Sequence, residues 1–470
     1  MSLDRRDVLA LSKALAVSGL LAGCTGTESA PGTTANPEKT VRRTTIPVAT
    51  DETDDAPQSP TEAVIAGNTA FALDLLDRLA GEADDPNVFV SPYSVSTALA
   101  MTYAGARGST KIQMRETLHF PRNSVHAAFR RLREQFAAYD APETTTGGTE
   151  NGGDDATAET ETTPAYREAT PFELSTANAL WGQEGFPFRE SFLELLDRNY
   201  GAGLRCVDFA SNPEAARRTV NDWVAERTQG KIRDLLARGV VSTATRLILT
   251  NAVYFRANWK TQFAAENTED GTFAALDGTE ATVPLMSQRE IFPYASADGH
   301  QLIELPYAGE QVGMVVVLPA EGEFERFRRS LSGDRLSELV GSLEPREGSI
   351  TLPRFEYRSK FALWEVLSDL GMAAAFGAGA NFSGMTDGEG DNSLGIDDVI
   401  HQSFVSVDEQ GTEAAAATAV VADTAAQTST GEPFEMVVDR PFLFFIRDRE
   451  TGTLLFAGQV ADAGAAQSSE

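Results

Sequence analysis

The sequence predicts an α+β protein organised around central sheets. From Pro60 onward, apolar residues alternate between a helical period and a strand period, and both are plentiful. Arg246–Phe255, Val312–Leu318 and Phe442–Ile446 are apolar runs rich in Val, Ile and aromatic residues, as strands covered on both faces require. The chain has 470 residues, 42% of them hydrophobic, enough for one large domain or two to three smaller ones. That content excludes a disordered chain, and two cysteines exclude a disulfide-stapled miniprotein.

The first residues read as an address. Asp4, Arg5, Arg6 and Asp7 lead into an apolar stretch from Val8 to Leu21, then Ala22, Gly23 and Cys24. A charged start, a short apolar core and small residues before a cut site make an export signal, and paired arginines suggest the twin-arginine route. Leu21-Ala22-Gly23-Cys24 is similar to a lipobox, in which Cys24 is lipidated and becomes the new N-terminus. Residues 1–24 are therefore expected to be a signal, and the protein to be extracellular and anchored by lipid to the outer face of the cell membrane. Cys206 is then the sole remaining cysteine, so no intramolecular disulfide can form, and it reads as a small core residue rather than a reactive thiol.

Residues 25–60, rich in Thr, Pro, Glu and Asp, read as a disordered tether spanning roughly 30–36 Å on average. Order is expected from 61 to 463, with a tail at 464–470. Val64, Phe71, Leu73, Leu76 and Leu79 recur at helical spacings. Ser91 offers a cap to a second helix that has Pro92 in its first turn. The acidic Thr/Gly-rich run from Ala141 to Thr170 is either an inserted surface loop (141–170) or a linker between two domains.

Charge and motifs narrow the function. Lys+Arg number 39 against 69 Asp+Glu, a formal charge of -30, which argues against nucleic acid as a partner. Lysine is confined to Lys13, Lys39, Lys111, Lys231, Lys260 and Lys360, and an acidic, lysine-poor composition resembles that of proteins working in concentrated salt. Nucleophile-elbow, zinc-protease, phosphate-loop and dinucleotide motifs are all missing, and four histidines leave little for a metal site. The expectation is a non-enzyme with no metal and no cofactor.

Specificity enters near the C-terminus. Val407-Asp408-Glu409-Gln410-Gly411-Thr412-Glu413 is followed by Ala414 to Ala417, Thr418, Ala419, Val420 and Val421, and later by Asp439-Arg440-Pro441-Phe442. Together with Asn87–Ser94, Thr176–Trp181, Asn221–Val224, Thr228–Ile232, Thr250–Phe255 with Trp259, and Leu352–Phe355, in that order, this closely resembles the serpins, the serine protease inhibitors that insert a loop into their own sheet. The resemblance runs from Thr61 to Asp462. It implies three β-sheets with eight or nine helices in one domain, and it makes 141–170 an enlarged loop.

The residues of the hinge support that reading. Strand alternation sends Thr412, Ala414, Ala416, Thr418 and Val420 to one face and Glu413, Ala415, Ala417 and Ala419 to the other. Small side chains can slide into a packed sheet where large or charged ones would stall. Gly411 supplies backbone freedom. In isolation Ala414–Ala417 also favours helix or a plain exposed loop.

The resemblance implies a suicide mechanism: a protease cleaves the loop within 409–434, forms an acyl-enzyme, and is carried about 45 Å as fourteen residues insert. The family's spacing of sixteen residues from Glu409 puts the attacked bond between Ala425 and Ala426; counting back from Pro441 reaches Thr430 instead. A small uncharged residue there favours subtilisin- or elastase-like serine proteases over trypsin-like ones, in a covalent complex with a monomeric inhibitor. Ser91, Ser94, Asn251 and His401 fall where relatives place a cluster gating sheet opening, and Trp259 where the loop first enters. Asn178, Trp181 and Trp223 read as packing residues. The alternative is a non-inhibitory, binding or chaperone-like serpin, whose hinge would carry bulky, charged or Pro residues.

Overall fold

In the computed structural model the structure describes residues 59–83, 85–139, 172–201, 203–377, 379–386, 394–412 and 431–467. The elements, in chain order, are α1 (Pro60–Glu82), β1 (Val88–Val90), α2 (Pro92–Gly105), α3 (Gly108–Thr117), α4 (Val125–Tyr139), β2 (Phe172–Gln183), α5 (Glu190–Tyr200) and β3 (Arg205–Val207). They continue with α6 (Pro213–Arg227), β4 (Leu247–Asn258), β5 (Glu269–Ala274), β6 (Glu280–Ala297), β7 (His300–Pro306), β8 (Val312–Leu318), α7 (Phe324–Ser330) and α8 (Gly333–Gly341). The last are β9 (Glu344–Pro353), β10 (Phe355–Ala362), α9 (Trp364–Leu367), β11 (Val399–Val407), β12 (Gly411–Thr412), β13 (Phe434–Val437), β14 (Phe442–Asp448) and β15 (Leu454–Val460).

The helix starts follow local chemistry. Ser59 and Glu62 form a reciprocal capping box at α1, worth about 1 kcal/mol, so helix begins at Pro60, one residue inside the expected tether. Ser91 caps α2 by accepting from the Ser94 N–H, with Pro92 at the first helical position.

Strands form a six-stranded sheet, β10-β11-β12-β4-β2-β3, and a nine-stranded layer, β1-β15-β14-β8-β7-β6-β9-β13 with β5 on β6. The second is continuous because the long strand β6 pairs with β9 along Leu285–Tyr294 and with β7 from Tyr294 to Ala297, which joins two smaller sheets into one ladder. The main core lies between the sheets and under α1, α2 and α4, where Phe89 stacks between Phe444 and Phe456. A second cluster seals the opposite face of the six-stranded sheet: Ala216, Val220 and Val224 of α6, with Ile232, Leu235 and Leu236 after it, cover Ala179, Ile248, Ala252 and Ile400.

Two expectations change. Cys206 is exposed, because β3 is an edge strand pairing only with β2; burial of part of its surroundings and the nearby Glu184 push its thiol up, so it is not an activated nucleophile. The start of the expected tail is packed: Ala466 is buried, its carbonyl accepts from the Glu356 N–H at 2.6 Å, and Gln467 donates to the Arg354 carbonyl at 2.8 Å.

Candidate functional site

Strands β11 and β4 run parallel and are paired directly from Val399↔Leu249 to Phe404↔Tyr254. Beyond Phe404 they part, and β12 sits between them, with Thr412 opposite Val407 on one side and Ala257 on the other. The Asp408 carboxylate makes the reversal, accepting from the N–H groups of Gln410 at 2.8 Å and Gly411 at 3.1 Å. Gly411 is required by close approach and by its φ of +155°: a Cβ there would lie 2.1 Å from the Ala257 carbonyl oxygen. Thr412 is buried and its hydroxyl lies 2.7 Å from the Tyr307 hydroxyl.

Trp259 closes this end of the gap. Its indole stacks on Tyr307 at 4.6 Å between ring centres and donates to the Asp408 carbonyl at 2.9 Å. Its backbone N–H donates to the Gln410 carbonyl at 2.9 Å. Beside it, Glu409 is clamped by Arg354, whose Nε donates to both carboxylate oxygens at 2.8 and 2.9 Å, and by the Thr268 hydroxyl at 2.6 Å. Burial pushes the Glu409 carboxyl up, but the bonds from Arg354 and Thr268 outweigh it and hold it below its ordinary range. The expected hinge acid is therefore pinned at the mouth of the gap, and Arg354, Thr268 and Tyr307 are partners that sequence reading did not assign.

Further down the seam, the expected gating residues meet in one buried network. The Ser91 N–H donates to His401 Nε2 at 3.3 Å, which leaves Nδ1 as the protonated nitrogen donating to Asn251 Oδ1 at 2.5 Å. Asn251 Nδ2 donates to the Ser94 hydroxyl at 2.9 Å and to Asn178 Oδ1 at 2.7 Å, and the Ser94 hydroxyl also donates to Asn178 Oδ1 at 2.7 Å. The Ser91 hydroxyl ties the cluster to β15 through the Leu455 carbonyl at 2.7 Å. Complete burial lowers the His401 pKa to about 3, so the ring is neutral. The network joins α2, β2, β4, β11 and β15, and any parting of β11 from β4 must break the His401–Asn251 bond. Asn178, expected only to pack, is a member of it, accepting from both Ser94 and Asn251. Trp181 and Trp223 do pack, edge to face at 5.4 Å.

Glu413, Ala414, Ala415, Ala416, Ala417, Thr418, Ala425, Ala426 and Cys24 lie outside the described residues, as do 141–170 and nearly all of the expected tether. For the hinge, the side of Thr412 is informative. It faces Tyr307 and the core.

A two-sheet α+β fold whose six-stranded sheet parts between β11 and β4, with Gly411 and Thr412 seated in the gap, defines a class of protein. The serpin (serine protease inhibitor) family profile matches residues 66–463. The chain is 39% identical over 459 residues to an uncharacterized serpin-like protein of Thermococcus kodakarensis, covering 97% of this chain and 98% of the relative. It is 36% identical over 409 residues to the leukocyte elastase inhibitor of Bos taurus, covering 85% and 99%. Uncleaved ovalbumin superposes with a TM-score of 0.69 at 25% identity, covering 85% of this chain and 100% of that one. Serpin48 of the insect Tenebrio molitor gives 0.69 at 28%, covering 87% and 100%. The chain belongs to the serpin family, and it stands among protease inhibitors, not enzymes.

Proposed function

We propose that the protein is an inhibitory serpin acting as a suicide substrate on subtilisin- or elastase-like serine proteases. The observation that carries this reading is the seating of Thr412 between β11 and β4, with Tyr307 as its inner partner. The residues after it, Ala414 to Ala417, are small enough to follow it into the gap without overpacking.

The protease serine oxygen attacks the Ala425 carbonyl carbon, the Ala425–Ala426 bond breaks, and the new amine at Ala426 leaves with the proton. The ester so formed tethers the protease to the segment beginning at Gly411. That segment zips in as a strand, the β11–β4 pairs separate, and new ladder bonds form at about 1 kcal/mol net each. The protease is displaced and distorted before water can hydrolyse the ester. Until cleavage the chain is held in a metastable state by the seam itself.

The N-terminal reading completes the proposal: export by the twin-arginine route, lipidation at Cys24, and a monomer on the outer face of the membrane whose acidic surface suits concentrated salt. Mixing the purified chain with a subtilisin-type and an elastase-type protease tests the function. A complex that survives SDS supports it; loop cleavage without a complex assigns the chain to the non-inhibitory serpins.

A further inference from the structure

One groove on the covered face of the six-stranded sheet reverses the local charge of this acidic chain. A cavity of about 420 Å³ is lined by Lys231, Arg233, Arg358 and Lys360, with Asp234 as its one carboxylate. Two of the chain's six lysines are therefore spent on one site.

The groove sits on the fork of the sheet. Phe404 and Tyr254 are the last directly paired residues of the β11–β4 seam. The Lys231 ammonium lies 5.6 Å from the Phe404 ring centre and 5.9 Å from that of Tyr254, so it spans both strands. From the other side the Arg358 guanidinium lies 5.1 Å from the same Phe404 ring. Lys360 reaches across to the Asp234 carbonyl at 2.8 Å. Lys231 and Arg233 belong to the covering segment after α6, whereas Arg358 and Lys360 belong to β10, on the far side of β11.

With four cations and one carboxylate in its lining, the groove carries a net positive charge that a small anion would offset. A further observation points to the kind of anion. Gln402, the β11 partner of Lys360, lines the groove, and its Oε1 is buried without a hydrogen-bond partner among the described residues. Turned out into the groove, that oxygen can accept from an oxyanion that carries a proton; sulfate carries none at neutral pH.

We propose that this groove binds a phosphate-class oxyanion, and that the bound anion ties the covering segment to β10 across the fork, slowing the parting of β11 from β4. The second half rests on the insertion mechanism proposed above; the first does not.

Calorimetric titration of the full chain with sodium phosphate, and separately with sodium sulfate, at constant ionic strength tests the site. One saturable phosphate site is expected, weaker for sulfate and unchanged in Lys111→Gln. Each lost charged contact is worth about tenfold, so Arg358→Gln/Lys360→Gln should weaken binding at least that much. No saturable phosphate binding, or equal binding in the double variant, overturns the site. For the clamp, the rate at which the loop-cleaved chain gains stability is followed with and without phosphate. Phosphate should slow it severalfold in the native sequence and not in the double variant; equal rates overturn the clamp. A cleaved chain that never gains stability removes the clamp together with the insertion reading, while the calorimetry still decides the site.

Discussion

The hydroxyls of Thr412 and Tyr307 are 2.7 Å apart in a site from which solvent is excluded. Thr412 is thus engaged with the sheet. Tyr307 is held in turn by the stacked Trp259, whose indole also fixes the carbonyl of Asp408. Thr412, the ring beneath it and the reversal leading into it form one contiguous unit at the mouth of the gap.

Replacing Thr412 with Arg would put a charge where Tyr307 now accepts or donates a neutral hydrogen bond, at a cost of several kcal/mol. The variant should still be cleaved in its loop but should yield no SDS-resistant complex, a conversion of inhibitor to substrate readable on one gel. Thr412→Val keeps the shape and orphans only the Tyr307 hydroxyl; it should lower stability by about 1–3 kcal/mol in denaturant titrations.

Glu409 and Arg354 make a second test. Glu409→Lys sets two cations against each other at the mouth of the gap. Because Arg354 is partly open to solvent, the loss should be about 1–3 kcal/mol, with increased self-association in size-exclusion chromatography as the gap opens to other loops. The folded-state pKa of Glu409 is depressed below its ordinary 4.5, so its contribution is fully present above that value and is lost as pH falls through the lower, folded pKa. Comparison of native sequence and Glu409→Gln between pH 2 and 6 should show the stability difference vanish on acidification.

His401 titrates in the opposite chemical sense but destabilises in the same direction. Its folded pKa is lowered from 6.5 to about 3, so the unfolded chain binds the extra proton throughout that window. Stability should therefore fall as pH drops from 6.5 towards 3, by about 1.4 kcal/mol per unit for this one group. His126, lowered to about 4, adds to the same slope. The check is the difference between native sequence and His401→Gln: the variant should lose one proton's worth of slope, and identical slopes would show that His401 is not buried neutral.

Asn178→Ala removes the acceptor shared by Ser94 and Asn251 and leaves buried donors unpaired. A loss of about 1–3 kcal/mol is expected, with faster spontaneous conversion to a non-inhibitory state on warming, measured as loss of complex-forming capacity over time.

Local pattern revealed much of this fold. The strand runs at 246–255, 312–318 and 442–446 and the cap at Ser91 depend on neighbours a few residues away, and the structure has β4, β8, β14 and α2 there. What sequence reading missed depends on pairs far apart in the chain. Asn178 looks like a packing residue until Ser94 and Asn251, 84 and 73 positions away, are brought to it. Arg354 stands in a family motif, yet nothing local says that its partner is Glu409, 55 positions on. Cys206 reads as a core residue by type, whereas its exposure follows from its strand lying at the sheet edge, a property of topology.

The central claim is that loop cleavage drives the segment after Gly411 into the gap between β11 and β4. It is tested most directly by guanidinium unfolding of the intact chain and of the chain nicked in its loop. Insertion would complete the six-stranded sheet, so the nicked form should unfold at a markedly higher denaturant concentration than the intact one. Equal midpoints, or a less stable nicked form, would contradict the mechanism proposed for this serpin.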